Sequence, residues 1–276
     1  MISSGIPALL LSLAQIVLSP IGVALNQDAQ LDRGFRQMYN LQFAEAHETF
    51  RQYQKSHPGD AMGPTADAAA YLFSEFERLG ILQTELFIDD QIFENRRKPA
   101  PDAVVRDRFL NALEQSRERA DAMLVKSPGD QNSRLARVLD FGLESDYLAM
   151  VEKRNMAALS SSKKGSQLAE ELLKTNPDCY DAYLAVGIEN YLLGLKPFPV
   201  RWVLQLYGAR TDKEEGIRKL QLTAEHGHFL LPYARLMLAV AALRENDRGT
   251  ARVLLADLAQ EFPGNTLYRR ELARLQ

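Results

Sequence analysis

One phrase recurs along this chain and sets what it can fold into. It reads His57-Pro58-Gly59-Asp60, then Ser127-Pro128-Gly129-Asp130, Asn176-Pro177-Asp178-Cys179 and Phe262-Pro263-Gly264-Asn265. Each copy follows an amphipathic stretch of helical spacing and precedes another. Proline cannot continue the helix before it, and it pushes the preceding residue out of the α region. Glycine, aspartate or asparagine then suits a tight turn and the cap of the next helix. The phrase therefore predicts helix, turn, helix, repeated. Pro58 and Pro128 are 70 residues apart, close to two units of about 34 residues. The later gaps, 49 and 86 residues, require insertions.

The residues ahead of each proline repeat as well. Positions 12, 8 and 5 before Pro58 hold Ala46, Phe50 and Tyr53. Before Pro263 they hold Ala251, Leu255 and Leu258, and before Pro177 they hold Gly165, Ala169 and Leu172. A small residue sits a further 12 upstream, Gly34 in the first unit and Ala239 in the last. After Pro177 the chain continues with Tyr183, Gly187 and Tyr191. This pattern resembles the tetratricopeptide repeat family. The resemblance implies antiparallel helix pairs stacked into a superhelix, with small residues where helices cross. It is clearest over residues 28–60, 178–194 and 229–265. The stretch Tyr191 to Pro197, with Gly208 to Asp212, Gly216 and Leu220, is similar to exported bacterial tetratricopeptide proteins.

Alternating β-branched runs and Asn-Gly turns are missing, so the expected class is all-α. The expectation is a helix-pair α-solenoid over residues 26–276, interrupted by irregular insertions at 80–101 and 194–211. The second insertion carries a short helix, Val200 to Tyr207. Val200, Val203, Leu204 and Tyr207 fall on one face, while Trp202 and Leu206 fall on another. Such a helix is either sandwiched in the core or offers one side to a partner or membrane. Lys163 to Thr175 is expected to be helical, its start overlapping the low-complexity run Ser160 to Lys164.

The first 25 residues differ from the rest. No charged side chain precedes Asp28, Ala8 to Leu18 is apolar, and the small residue Ala24 follows Pro20 and Gly22. This suits a secretory signal cleaved near Ala24, although the usual basic residue at the start is missing. An uncleaved anchor or a buried N-terminal helix are the alternatives. The expected location is outside the cytoplasm, most simply the periplasm, with membrane contact open through residues 1–25 or the Trp202 helix.

The sequence offers little chemistry. Lys and Arg number 33 against 36 Asp and Glu, without the basic excess that nucleic acid binding favours. The single cysteine, Cys179, lies at a helix start and reads as structural. Phosphate-binding, dinucleotide-binding, zinc-protease and nucleophile-elbow motifs are absent, so no catalytic residue, metal ligand or cofactor is assigned. His226 and His228 point to different sides of a helix end with Gly227 between them. The acidic group Glu85, Asp89, Asp90 and Glu94 reads as the wet face of a short helix. Its alternative is a hydrolase-like acidic cleft around Asp89 and Asp90.

The resemblance implies a scaffold for a protein or peptide partner and not an enzyme. In that family the first helix of each pair lines the concave groove. By position, the groove candidates are Phe35, Tyr39, Asp181, Tyr191, Tyr233 and Arg244. A membrane-anchored assembly factor is the alternative.

Overall fold

The computed structural model describes residues 21–81, 100–194 and 212–275. Within them the chain is helical and has no strand. The helices are α1 (Ile21–Tyr39), α2 (Phe43–Ser56), α3 (Met62–Leu79), α4 (Ala103–Lys126), α5 (Gln131–Asp146), α6 (Asn155–Thr175), α7 (Tyr183–Gly194), α8 (Lys213–His226), α9 (Leu231–Arg244), α10 (Arg248–Glu261) and α11 (Thr266–Arg274). A π-turn, Tyr147–Val151, prolongs α5, and a 3-10 turn, Tyr180–Ala182, leads into α7. Neighbours in sequence pack side by side, giving the pairs α1/α2, α3/α4, α5/α6, α7/α8 and α9/α10, followed by α11. The Val200 to Tyr207 helix and Trp202 lie outside the described residues.

The four proline phrases fold alike. The backbone N–H groups of His57, Ser127, Asn176 and Phe262 close the preceding helix onto the carbonyl four residues back. Asp60, Asp130, Cys179 and Asn265 then close each turn onto the carbonyl three residues back, at 3.0–3.2 Å. The start of the next helix depends on that last residue. Asp60 accepts from the Met62 N–H at 2.8 Å, Asp130 from Ser133 at 2.8 Å and Asn265 from Leu267 at 3.0 Å. A thiol is a weak acceptor. Cys179 makes no such cap, and a 3-10 turn stands where the next helix would begin. Burial pushes the Cys179 thiol up to about 11, so it is a poor nucleophile.

The pair closed without proline is α7/α8. Here α8 stops at His226, and Gly227 to Leu230 turn the chain into α9. His226 packs on Tyr180, whereas His228 pairs with Asp32 of α1 at 2.7 Å, so the two histidines serve different contacts.

Crossing points use the small residues of the repeat. Ala46, Phe50 and Tyr53 are fully buried, as are Ala251, Leu255 and Leu258. A Cβ on Gly34 would collide with the Phe50 ring. A Cβ on Gly216 would come within 2.5 Å of the Tyr191 nitrogen and 2.9 Å of the Gly187 oxygen, so α7 and α8 touch backbone to backbone. In α6 the helix begins at Asn155, ahead of the expected Lys163, and takes in the serine run. Serine has only middling helix propensity, but Ser161 is buried and donates to Glu144 at 2.8 Å.

The array bends back on itself. The end of α1 meets the turns before α9 and α11. Phe35 stacks on Phe229 with ring centres 4.7 Å apart. Tyr39 Oη donates to the Phe229 carbonyl at 3.0 Å, and Asn265 donates to the Tyr39 carbonyl at 2.8 Å. Asn40 accepts from the Gly264 N–H at 2.7 Å. Leu31 and Phe35 at one end of the chain thus share one core with Phe262, Leu267 and Tyr268 at the other.

Candidate functional site

Bending closes the inner face of the array around a cavity of about 80 Å³. Every pair supplies its first helix to the wall. Phe35, Met38 and Tyr39 come from α1, Thr65, Ala69 and Phe73 from α3, and Leu139, Gly142 and Asp146 from α5. Leu184, Ala185 and Ile188 come from α7 and Tyr233 from α9, while Ser162 and Gly165 of α6 fill a gap between them. The wall is mostly apolar, as ligand sites are, with few polar groups.

Two of those polar groups meet. Tyr233 Oη donates to Asp146 Oδ2 at 3.3 Å. Asp146 lines the cavity and is half-buried. Burial raises its carboxyl to about 7, and only the Tyr233 hydroxyl opposes that rise. The rings of Phe73 and Tyr233 meet edge to face at 5.4 Å, and those of Tyr39 and Phe73 at 5.9 Å. Burial holds the phenols of Tyr39 and Tyr233 well above their ordinary range, so both stay neutral.

Behind the wall lies a second buried carboxyl. Asp140 accepts from Ser116 Oγ at 2.9 Å and from Thr65 Oγ1 at 3.2 Å, tying α5 to α4 and α3. The two hydroxyl oxygens lie 2.7 Å apart and Thr65 Oγ1 is 2.9 Å from the Ala61 carbonyl, so its single proton is shared among these acceptors and Asp140. Burial pushes Asp140 up to about 7, partly offset by these hydroxyls and by Arg117 and Arg137.

The six groove candidates divide. Phe35, Tyr39 and Tyr233 come together on the cavity wall. Asp181 is buried at the same end but serves the backbone. Its Oδ1 accepts from the N–H groups of His228 and Leu230 at 2.9 and 3.1 Å, and its Oδ2 from Phe229 at 2.9 Å. It holds the turn on which α1 rests. Tyr191 is buried where α7 meets α8, and Arg244, close enough to act on its phenol, ends α9. Neither is among the residues lining the cavity. Asp89 and Asp90 fall outside the described residues.

One constellation has no counterpart among the sequence motifs. His47 of α2 bonds through Nδ1 to Asp67 of α3 at 2.5 Å, under the Tyr71 ring at 4.0 Å. A separate cleft beside it is lined by Asp67, Tyr71, Asp107 and Arg108. No serine, threonine or cysteine lines that cleft among the described residues, so the pair has no nucleophile there to activate. It ties α2 to α3. Among the described residues no three His, Cys, Asp or Glu side chains gather as metal ligands, and no helix is long and apolar enough to cross a membrane.

No family model matches the sequence, and no curated protein is similar to it. Among solved structures the chain is similar to TTC0263, a thermophilic TPR protein of Thermus thermophilus. The identity is 14% and the TM-score 0.44, over 90% of this chain and 98% of that one.

Proposed function

We propose that this chain is a binding scaffold of the tetratricopeptide type, without catalytic activity of its own. It holds a protein or peptide partner at the inner face of its helix pairs. The observation that carries this reading is the cavity to which all five first helices contribute, with Phe35, Tyr39, Phe73 and Tyr233 around one carboxyl group. Aromatic walls with a few polar groups suit a side chain presented by a partner. Of the six groove candidates, Phe35, Tyr39 and Tyr233 are the contact residues.

Gly142 gives the sharpest test. It lines the cavity from inside α5, and a Cβ placed there meets nothing within 4 Å. Gly142→Ala is therefore expected to raise stability by about 0.5–1 kcal/mol, the usual gain from relieving a helical glycine. Gly142→Leu is expected to keep the wild-type melting temperature or exceed it, because the side chain grows into free space. The same variant is expected to lose the partner, since a bulky group then occupies the cavity. Chemical cross-linking in the native host, comparing wild type with Gly142→Leu, reads partner capture, and a thermal melt reads the fold. A folded Gly142→Leu that captures the same partner equally well would refute the site.

The chain is further proposed to act outside the cytoplasm, on the apolar, uncharged start up to Ala24. Cleavage there leaves Leu25 to Tyr39 of α1, which retains Phe35 and Tyr39. N-terminal sequencing of protein from the native host is expected to begin near Leu25. An intact Met1 in the cytoplasmic fraction would contradict export.

A further inference from the structure

Asp146 is an unusual group to leave facing an apolar cavity. An ionised carboxylate can accept about four hydrogen bonds. This one receives a single long bond, from Tyr233 at 3.3 Å. The titratable groups facing it are Tyr233 from α9 and, beyond that ring, Tyr39 from α1. The lining residues contributed by α3, α6 and α7 carry no charged side chain. No lysine, arginine or histidine among the described residues compensates it. Asp140, nearly two turns earlier, is the internal comparison: it is fully buried and is bonded by two hydroxyls of neighbouring helices. Removing one partner of a buried charge pair is costly, and a cavity built around half a pair favours the other half as its occupant.

We propose that the cavity receives a lysine side chain of the bound partner, with its ammonium against Asp146 and its methylene stem along Leu139, Ala185 and Ile188. This rests on the binding-scaffold reading and names the group recognised. Lysine fits better than arginine for a reason of donors. A guanidinium brings five N–H groups in a fixed fork, an ammonium three that rotate. The wall offers one carboxylate, while the Ser145 hydroxyl already donates to the Ala158 carbonyl at 3.0 Å. The aromatic rings of Phe73, Tyr39 and Tyr233 complete the match, because a cation with an apolar stem is attracted to ring faces.

The test uses the full chain and three probes of one length: n-butylammonium, 1-butanol and butyrate, titrated by NMR. At pH 8 butylammonium is expected to bind at least about tenfold more tightly than butanol, and butyrate not at all. Its affinity is expected to rise from pH 6 to pH 8 as Asp146 ionises, while that of butanol stays constant. Asp146→Asn is expected to abolish the preference while still binding butanol, and Gly142→Leu to exclude all three. Equal binding of butanol and butylammonium, a preference that survives in Asp146→Asn, or no binding by any probe would overturn the assignment. The two readings fail separately. If the native partner is lost in Gly142→Leu but butylammonium shows no preference, the cavity remains the binding site and the lysine does not. If Gly142→Leu keeps the partner, the site itself is wrong whatever the probes do.

Discussion

Asp181→Ala is expected to lower the unfolding free energy by about 3–5 kcal/mol. The carboxylate is buried and accepts three consecutive backbone N–H groups, those of His228, Phe229 and Leu230. A buried donor left without an acceptor costs about 1–3 kcal/mol, and relaxation of the turn recovers part of the sum for three. The damage spreads, because Phe229 stacks on Phe35 and its carbonyl receives the Tyr39 hydroxyl. Asp181→Asn retains one acceptor oxygen but turns an amide N–H₂ toward a backbone donor, so an intermediate loss is expected. Urea unfolding of the three proteins measures this. A midpoint for Asp181→Ala within error of wild type would mean that the turn does not need its acceptor.

Stability is expected to fall as pH rises from about 5 to 8, the reverse of the usual behaviour of carboxylates held in ion pairs. Burial raises the Asp140 and Asp146 carboxyls to about 7, against about 3.9 in the unfolded chain. Between those values the folded protein holds protons that the unfolded one has released. Stability from these groups is fully present below about pH 4 and is lost as pH climbs through about 7. For Asp140, shifted by about three units, the ceiling is about 4 kcal/mol at 1.36 kcal/mol per unit. Asp146 adds less, since it is only half-buried whereas Asp140 is fully buried. Exposed caps such as Asp102 and Asp247 carry lowered values of opposite sign, but they lie in solvent and act below about pH 4. Asp140→Asn stays neutral and can both donate to and accept from the Thr65 and Ser116 hydroxyls. Burial raises the Asp181 carboxyl as well, so Asp140→Asn is expected to remove part of the slope and leave the rest. Thermal melts across the range decide it: a wild-type melting temperature that climbs from pH 5 to 8 would reject the assignment, as would an unchanged slope in Asp140→Asn.

What could be read from the sequence was whatever repeats. The proline phrases place the turns, and the positions before them place Ala46, Phe50, Tyr53, Ala251, Leu255 and Leu258 in the core, because helix crossing imposes the same sizes at the same offsets. Aromatic residues on the first helices gave Phe35, Tyr39 and Tyr233, three residues of the cavity. What could not be read was whatever occurs once. Asp181 reaches a turn 47 to 49 residues away, and nothing in its neighbourhood distinguishes it from a groove acid. Asp140 and Asp146 sit on a helix whose apolar pattern does not say which polar positions turn inward. His47 and Asp67 are 20 residues apart on different helices, a spacing without helical meaning. The sequence places the start of α6 too late, at Lys163, because the bonding partner of Ser161, Glu144, is on another helix.

The return of α1 onto the turns at Phe229 and Asn265 changes how the array comes apart. In an open solenoid each unit leans only on its neighbours, so end units fray first and partly melted forms accumulate. Here the Tyr39 carbonyl is bonded to a side chain 226 positions along the chain, and its hydroxyl to a carbonyl 190 along. Neither end can loosen without uncovering the other, and the middle pairs stand around a cavity that depends on both. With α1 bonded to the turns before α9 and α11, the chain is expected to melt all at once, as a globule does, and a truncation that reaches Tyr39 or Asn265 is expected to remove a keystone instead of a surplus unit.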